Sequence, residues 1–190
     1  MKTTNIMIVG VGGQGSLLAS KLLGRLLVDE GCDVKVSEVH GMSQRGGSVV
    51  TYVRFGEKVY SPVITEGEAD YIVSFEKLEA ARWASCLAKG GQIIVNTQEI
   101  APMPVIIGNA EYPSEILGEL TAKGVRVDAV DALSMAMEAG SAKAVNIVLM
   151  ARLAKHFEIP FEKWVAAIEK TVAPKFIALN RRAFEIGYHA

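Results

Sequence analysis

Residues 6–27 read IMIVGVGGQGSLLASKLLGRLL, and this stretch decides the fold. A short apolar, β-rich run at 6–9 ends in Gly10-Val11-Gly12-Gly13-Gln14-Gly15. Leu17, Leu18, Leu22, Leu23, Leu26 and Leu27 follow at a spacing that places them on one helical face, and Gly31 stands where such a helix would end. Val34 and Val36 then alternate with polar neighbours, so a second strand is expected over 33–39. Strand, glycine turn, helix and strand make a βαβ unit. Its handedness and short connections predict two neighbouring parallel strands.

Outward from that unit, 48–55 is rich in β-branched and aromatic residues, and Gly56-Glu57 could turn it back into 58–64 as a hairpin. Segments 70–74 and 92–95 read as buried strands flanking a helix over 76–87, with Gly90-Gly91 closing that helix. Pro102, Pro104 and Pro113 mark irregular chain, after which a helix over 114–122 and a strand over 125–130 are expected. Beyond Asp131 the chain turns helical, with helices over 142–157 and 161–172 separated by Pro160 and a last amphipathic one over 176–186. The expected class is α/β, with a mostly parallel sheet, one hairpin and a helical C-terminal third. No Pro/Ser-rich linker, repeat or charge run divides the 190 residues, so 1–190 reads as one domain.

Hydrophobic residues make up 50% of the chain and charged residues 22%, with a mean hydropathy of +0.26. That is more apolar than a lone domain of this size needs, which predicts surface buried against a partner. A formal net charge of -1 without a basic stripe argues against nucleic acid. The start lacks the pattern of a signal peptide and no stretch is long enough to span a bilayer, so no membrane partner and a cytoplasmic location are expected. Cys32 and Cys86 lie far apart and suit neither a disulfide framework nor an iron–sulfur or zinc site, so no metal is expected here. Any electron transfer would use a cluster on another chain.

Two motifs carry chemistry. Gly10, Gly12 and Gly15 match Gly-x-Gly-x-x-Gly, which permits a tight turn and close approach of a pyrophosphate at a helix N-terminus. Glu38, at the end of the second strand, stands where an acidic residue would bind a ribose. A self-sufficient NAD- or FAD-binding oxidoreductase is therefore one reading. Plain turn chemistry, with Glu38 paired to Arg45, is the other. The second motif is His40-Gly41-Met42-Ser43-Gln44-Arg45-Gly46-Gly47-Ser48. Its guanidinium is a planar fork suited to a carboxylate or phosphate, and Gly46 and Gly47 let backbone amides approach the same anion.

Together, GVGGQG at 10–15 and SEVHGMSQRGGSV at 37–49 resemble the gamma-subunit family of 2-oxoacid:ferredoxin oxidoreductases, over essentially the whole chain. Within that family the pattern is nearest to the indolepyruvate-type beta subunits, because His40 to Gln44 is the arylpyruvate-type version of the residues before Arg-Gly-Gly, and the resemblance implies oxidative decarboxylation of indolepyruvate, arylpyruvate or pyruvate-like 2-oxoacids to acyl-CoA. The resemblance implies a Rossmann-like three-layer domain that completes a site without supplying a catalytic residue. It places thiamine diphosphate and iron–sulfur clusters on larger partner subunits, with coenzyme A as co-substrate and ferredoxin served through the complex. On that reading His40, Ser43, Gln44, Arg45, Gly46 and Gly47 face the active-site or coenzyme A side. Gly10, Gly12, Gly13, Gln14 and Gly15 form a structural turn or bind a phosphate group.

His156 and His189 lack partners at metal spacing and read as surface residues. Trp83 and Trp164 sit at helical positions that suit core or subunit contact. Arg181-Arg182 reads as a solvated helix face.

Overall fold

A computed structural model describes residues 2–38 and 46–190. Six strands, β1 (Thr4–Val11), β2 (Asp33–Glu38), β3 (Ser48–Gly56), β4 (Ala69–Ser74), β5 (Leu87–Asn96) and β6 (Arg126–Val130), form one sheet in the order β2-β3-β1-β4-β5-β6. β1 is apolar on both faces, as expected of a strand covered on both sides. Ile6 and Ile8 join one core and Met7 and Val9 the other. The first core packs α1 (Ser16–Asp29), α5 (Ala132–Ala139), α6 (Val145–Ala154), α7 (Phe161–Thr171) and α8 (Ile177–His189) on one face of the sheet. The second core packs α2 (Lys77–Trp83) and α4 (Ile116–Ala122) on the other face. This is the α/β three-layer arrangement with a helical C-terminal part. A short α3 (Met103–Ile106) stands outside both cores.

The expected adjacency of the first two strands is overturned. β3 lies between β1 and β2 and runs antiparallel to both, pairing Ile6 with Val53 and Val34 with Phe55. The pairings of β1 with β4, β4 with β5 and β5 with β6 are parallel. The hairpin over 48–64 does not form either. Arg54 Nη1 donates to the carbonyls of Ser61 and Val63, at 3.2 and 2.8 Å, and Asp33 accepts from the Val59 amide at 2.9 Å. Side chains thus take up backbone groups that a returning strand would have used. Val59 and Ile64 are buried, so this loop covers the sheet as irregular chain.

The helix expected over 76–87 stops at Trp83 and is followed by a 3-10 turn, Ala84–Cys86. Gly90 and Gly91 lie within β5 and do not close the helix. Pairing jumps from Ala69↔Leu87 to Tyr71↔Gln92, so residues 88–91 bulge out of the ladder. A Cβ on Gly91 would lie 2.9 Å from the Ala69 carbonyl oxygen, which reserves that position for glycine. In the helical third, the helix expected over 142–157 divides into a 3-10 turn, Ala142–Ala144, and α6. Trp164 is fully buried and stacks on Phe184 at 5.9 Å between ring centroids, so it is a core residue. His156 and His189 meet aromatic rings, and Arg181 pairs with Glu169. Among the described residues no helix is long and apolar enough to cross a membrane, and no group of three or more His, Cys, Asp or Glu could hold a metal ion.

Candidate functional site

β1 and β4 are neighbouring parallel strands whose following helices, α1 and α2, cover opposite faces of the sheet. Such a switch point opens a crevice at the strands' carboxyl ends, where α/β sheets receive ligands. The glycine turn lies there. Gly10 is where β1 meets the end of β4: a Cβ would lie 2.9 Å from Phe75 Cβ and 2.8 Å from Gln14 Oε1. Gly15 caps α1 with φ 91°, and a Cβ on it would lie 2.9 Å from Nδ2 of the buried Asn146. Asn146 Nδ2 donates to the Gly15 carbonyl at 3.3 Å, tying the turn to α6.

Two polar groups of the turn are engaged inside the chain. Gln14 Oε1 accepts from the Val11 amide at 2.7 Å and its Nε2 donates to the Phe75 carbonyl at 3.1 Å, so this side chain joins β1 to β4. The Gly12 amide donates to the Gly47 carbonyl at 2.9 Å, and this bond brings the two motifs together. A cavity of about 270 Å³ opens beside the turn, lined by Gly12, Gly13, Gly15, Ser16, Glu38 and Thr51 among others. Glu38 accepts a hydrogen bond from the Ser20 hydroxyl of α1 at 2.7 Å. A second cavity, of about 420 Å³, borders Gly13, Gln14, Gly15, Gln98, Lys143 and Asn146. His40, Ser43, Gln44 and Arg45 lie outside the described residues, as does the proposed pairing of Arg45 with Glu38.

The described end of the second motif borders a third cavity, of about 200 Å³, where Gly46, Gly47 and Ser48 face Glu76, Glu79, Arg82 and Met103. Glu76 is buried and caps α2. Its Oε2 accepts from the Glu79 amide at 2.9 Å, and its Oε1 accepts from the Ile100 amide at 3.1 Å and from the Tyr112 hydroxyl. The Tyr112 oxygen in turn accepts from the Leu78 amide at 3.1 Å. Burial and the bond to Glu76 push the Tyr112 phenol well above its ordinary value, so it stays protonated as a donor. One carboxylate therefore clamps both ends of the segment from Ile100 to Tyr112. That segment presents α3 to solvent, with Met103 65%, Ile106 66% and Ile107 59% exposed.

The sequence reading missed Glu76, Glu79, Tyr112, Asn96 and Asn146. Asn96 is fully buried, donates to the Phe75 carbonyl at 3.2 Å and accepts from the Ala132 amide at 3.1 Å, so it joins the ends of β4 and β5 to the start of α5. For Glu76 and Glu79 a signal was present. Two acidic residues three apart directly after a buried strand resemble a capping box. Tyr112 carried none, because its partner lies 36 positions away.

Cys32 and Cys86 do not form a ligand set, and burial raises both thiols, which opposes the thiolate that an iron–sulfur cluster requires. The residues of this chain thus do not fit such a cluster.

A glycine turn and a helix start at the switch point of a three-layer α/β sheet define a Rossmann-like α/β protein, with its crevice at the strand carboxyl ends. The chain belongs to the pyruvate ferredoxin/flavodoxin oxidoreductase family, whose pattern matches residues 5–190. It is 45% identical to the indolepyruvate oxidoreductase subunit IorB of Thermococcus kodakarensis, covering 100% of this chain and 96% of that protein. A more distant relative is the pyruvate/ketoisovalerate oxidoreductases common subunit gamma of Thermococcus litoralis, at 26% identity over 92% of this chain and 89% of that one. Among solved structures, the keto/oxoacid ferredoxin oxidoreductase gamma subunit of Geobacter sulfurreducens has the same fold, with a TM-score of 0.72 at 20% identity, covering 98% and 96% of the two chains. The 2-oxoglutarate:ferredoxin oxidoreductase of Magnetococcus marinus, solved with 2-oxoglutarate, coenzyme A and succinyl-CoA bound, contains this fold with a TM-score of 0.75 at 19% identity. The match covers 100% of this chain and 31% of that one.

Proposed function

We propose that this chain is the site-completing, non-catalytic subunit of an indolepyruvate-type 2-oxoacid:ferredoxin oxidoreductase, working as one domain over 1–190 in the cytoplasm. The observation that carries the reading is the full-length similarity to IorB subunits. Larger partner subunits would hold thiamine diphosphate, which would supply the decarboxylation of the 2-oxoacid with release of carbon dioxide, and iron–sulfur clusters, which would supply the path for the two electrons to ferredoxin. Coenzyme A takes the acyl group. The part of this chain is to bind and orient. Arg45 contacts the anionic end of a substrate, the Gly46-Gly47 backbone lies against it, and His40, Ser43 and Gln44 face the same side. The Gly10–Gly15 turn shapes the crevice, with a phosphate group as its ligand where one enters.

Arg45→Ala in the assembled enzyme should lower kcat/KM about tenfold, the size of one charge-assisted hydrogen bond, without preventing assembly. Steady-state rates with indolepyruvate, coenzyme A and ferredoxin check this, and unchanged rates would remove Arg45 from the site. Arg45→Lys should recover little, because the planar fork is lost.

The exposed apolar tip of α3 supports a docked partner. It carries large side chains held out by a buried clamp, and it borders the same cavity as Gly46 and Gly47. Ile106→Asp should weaken association with the thiamine-bearing subunit by about tenfold or more, since burying one isoleucine contributes roughly 1.5–3 kcal/mol. Titration of the two purified subunits measures it, and an unchanged Kd would place the interface elsewhere.

A further inference from the structure

Glu79 projects from α2 with only 4% of its surface exposed. Burying a carboxylate costs several kcal/mol unless it is paired and hydrogen-bonded. Its partners show what the burial accomplishes. Oε1 accepts from Arg82 Nε at 3.1 Å on its own helix, while Oε2 accepts from the Ser48 hydroxyl at the first position of β3. Ser48 directly follows Gly47, whose carbonyl is held by the Gly12 amide at 2.9 Å. Two adjacent residues at the exit of the second motif are therefore tied to two different elements. The backbone of one is bound to the glycine turn, and the side chain of the other to α2.

The chemistry of the cavity wall excludes a simpler role. Among the described residues, Glu76 and Glu79 face it with Arg82, so the described wall carries no excess positive charge to hold a second anion. Nor is Glu79 required as a helix cap, because Glu76 performs that function.

We propose that Glu79 is a positioning residue for the active-site edge. Through Ser48 it sets where the Gly46-Gly47 backbone lies relative to the glycine turn, and Arg82 holds its carboxylate in place. This rests on the reading that Gly46 and Gly47 face the substrates.

The test uses the assembled enzyme with both subunits and all cofactors, comparing Glu79→Gln, Ser48→Ala and the double variant. Each single change should raise KM for the 2-oxoacid or coenzyme A about fivefold to tenfold, with kcat within about twofold, as expected for loss of one hydrogen bond to a charged group. The double variant should be no worse than the worse single one, because Ser48→Ala removes the same tie that Glu79→Gln weakens by taking away its charge. Glu79→Asp, which keeps the charge, should recover part of the loss.

An unchanged KM in variants that assemble normally would overturn the proposal, and so would a loss of thermal stability with KM unchanged. Multiplying effects in the double variant would overturn the route through Ser48. Arg45→Ala, assayed beside them, separates two failures. If it raises KM while Glu79→Gln does not, only the positioning role falls. If it too is silent, the reading of the whole edge falls.

Discussion

Replacing Glu76 with alanine should lower the unfolding free energy by about 3 kcal/mol, the expected cost of stripping a shared acceptor from several buried donors. The carboxylate accepts from the Glu79 amide, the Ile100 amide and the Tyr112 hydroxyl. Alanine leaves all three without it. Leaving a buried donor unmade costs roughly 1–3 kcal/mol each, and partial entry of water into the vacated space offsets part of the sum. Glu76→Gln keeps one acceptor oxygen and should cost about half as much. Tyr112→Phe should cost a similar amount, about 1.5 kcal/mol. It removes one bond to Glu76 and the acceptor for the Leu78 amide. Denaturant unfolding gives the stabilities. Limited proteolysis gives a second readout, since the segment carrying α3 should become a cleavage site in Glu76→Ala and not in wild type. A stability loss below about 1 kcal/mol would mean that the clamp does not hold that segment.

Gly15→Ala should be nearly as damaging, at about 3 kcal/mol, and Gly13→Ala serves as its control. Both glycines have positive φ, 91° and 99°, where an alanine costs roughly 1–2 kcal/mol. They differ in surroundings. A Cβ at Gly13 meets nothing within 4 Å, whereas at Gly15 it lies 2.9 Å from Asn146 Nδ2. Asn146 is 2% exposed and its amide donates to the Gly15 carbonyl, so it cannot swing aside without losing that bond. Overpacking of this kind adds about 1–3 kcal/mol. The difference between the two variants therefore measures the contact between the turn and α6. Equal stabilities would show that α6 yields freely there, and the ties of the turn to Phe75 and Gly47 would then remain to hold it.

The parts of the fold that follow from local periodicity were legible in the chain. The apolar run before the glycine turn, the leucine face of α1 and the apolar spacing of α7 and α8 placed those elements within a few residues. The two motifs were also legible as glycine-rich segments, and the described end of the second meets the first through Gly12 and Gly47. The missing parts share one cause. β3 lies between β1 and β2 because strand pairing is chosen among segments distant in sequence, and neither strand carries its partner's identity. Segment 58–64 has strand-like residues but lost its ladder to Arg54, which no local pattern announces. Gly90-Gly91 has the look of a helix end, yet the close approach of β4 put it in a bulge.

By itself, then, the sequence determined the alternation of strands and helices, the helical C-terminal third, the glycine turn at a strand end and the family, since these depend on neighbours within one or two turns of chain. Only the tertiary structure decided the strand order, the joining of the two motifs through Gly12 and Gly47, and the burial of Glu76 and Glu79. Those features arise where backbone and side-chain groups, most of them far apart in sequence, satisfy one another's hydrogen bonds away from water. A buried carboxylate is stable only when donors from several elements converge on it, and that convergence exists in the folded chain alone.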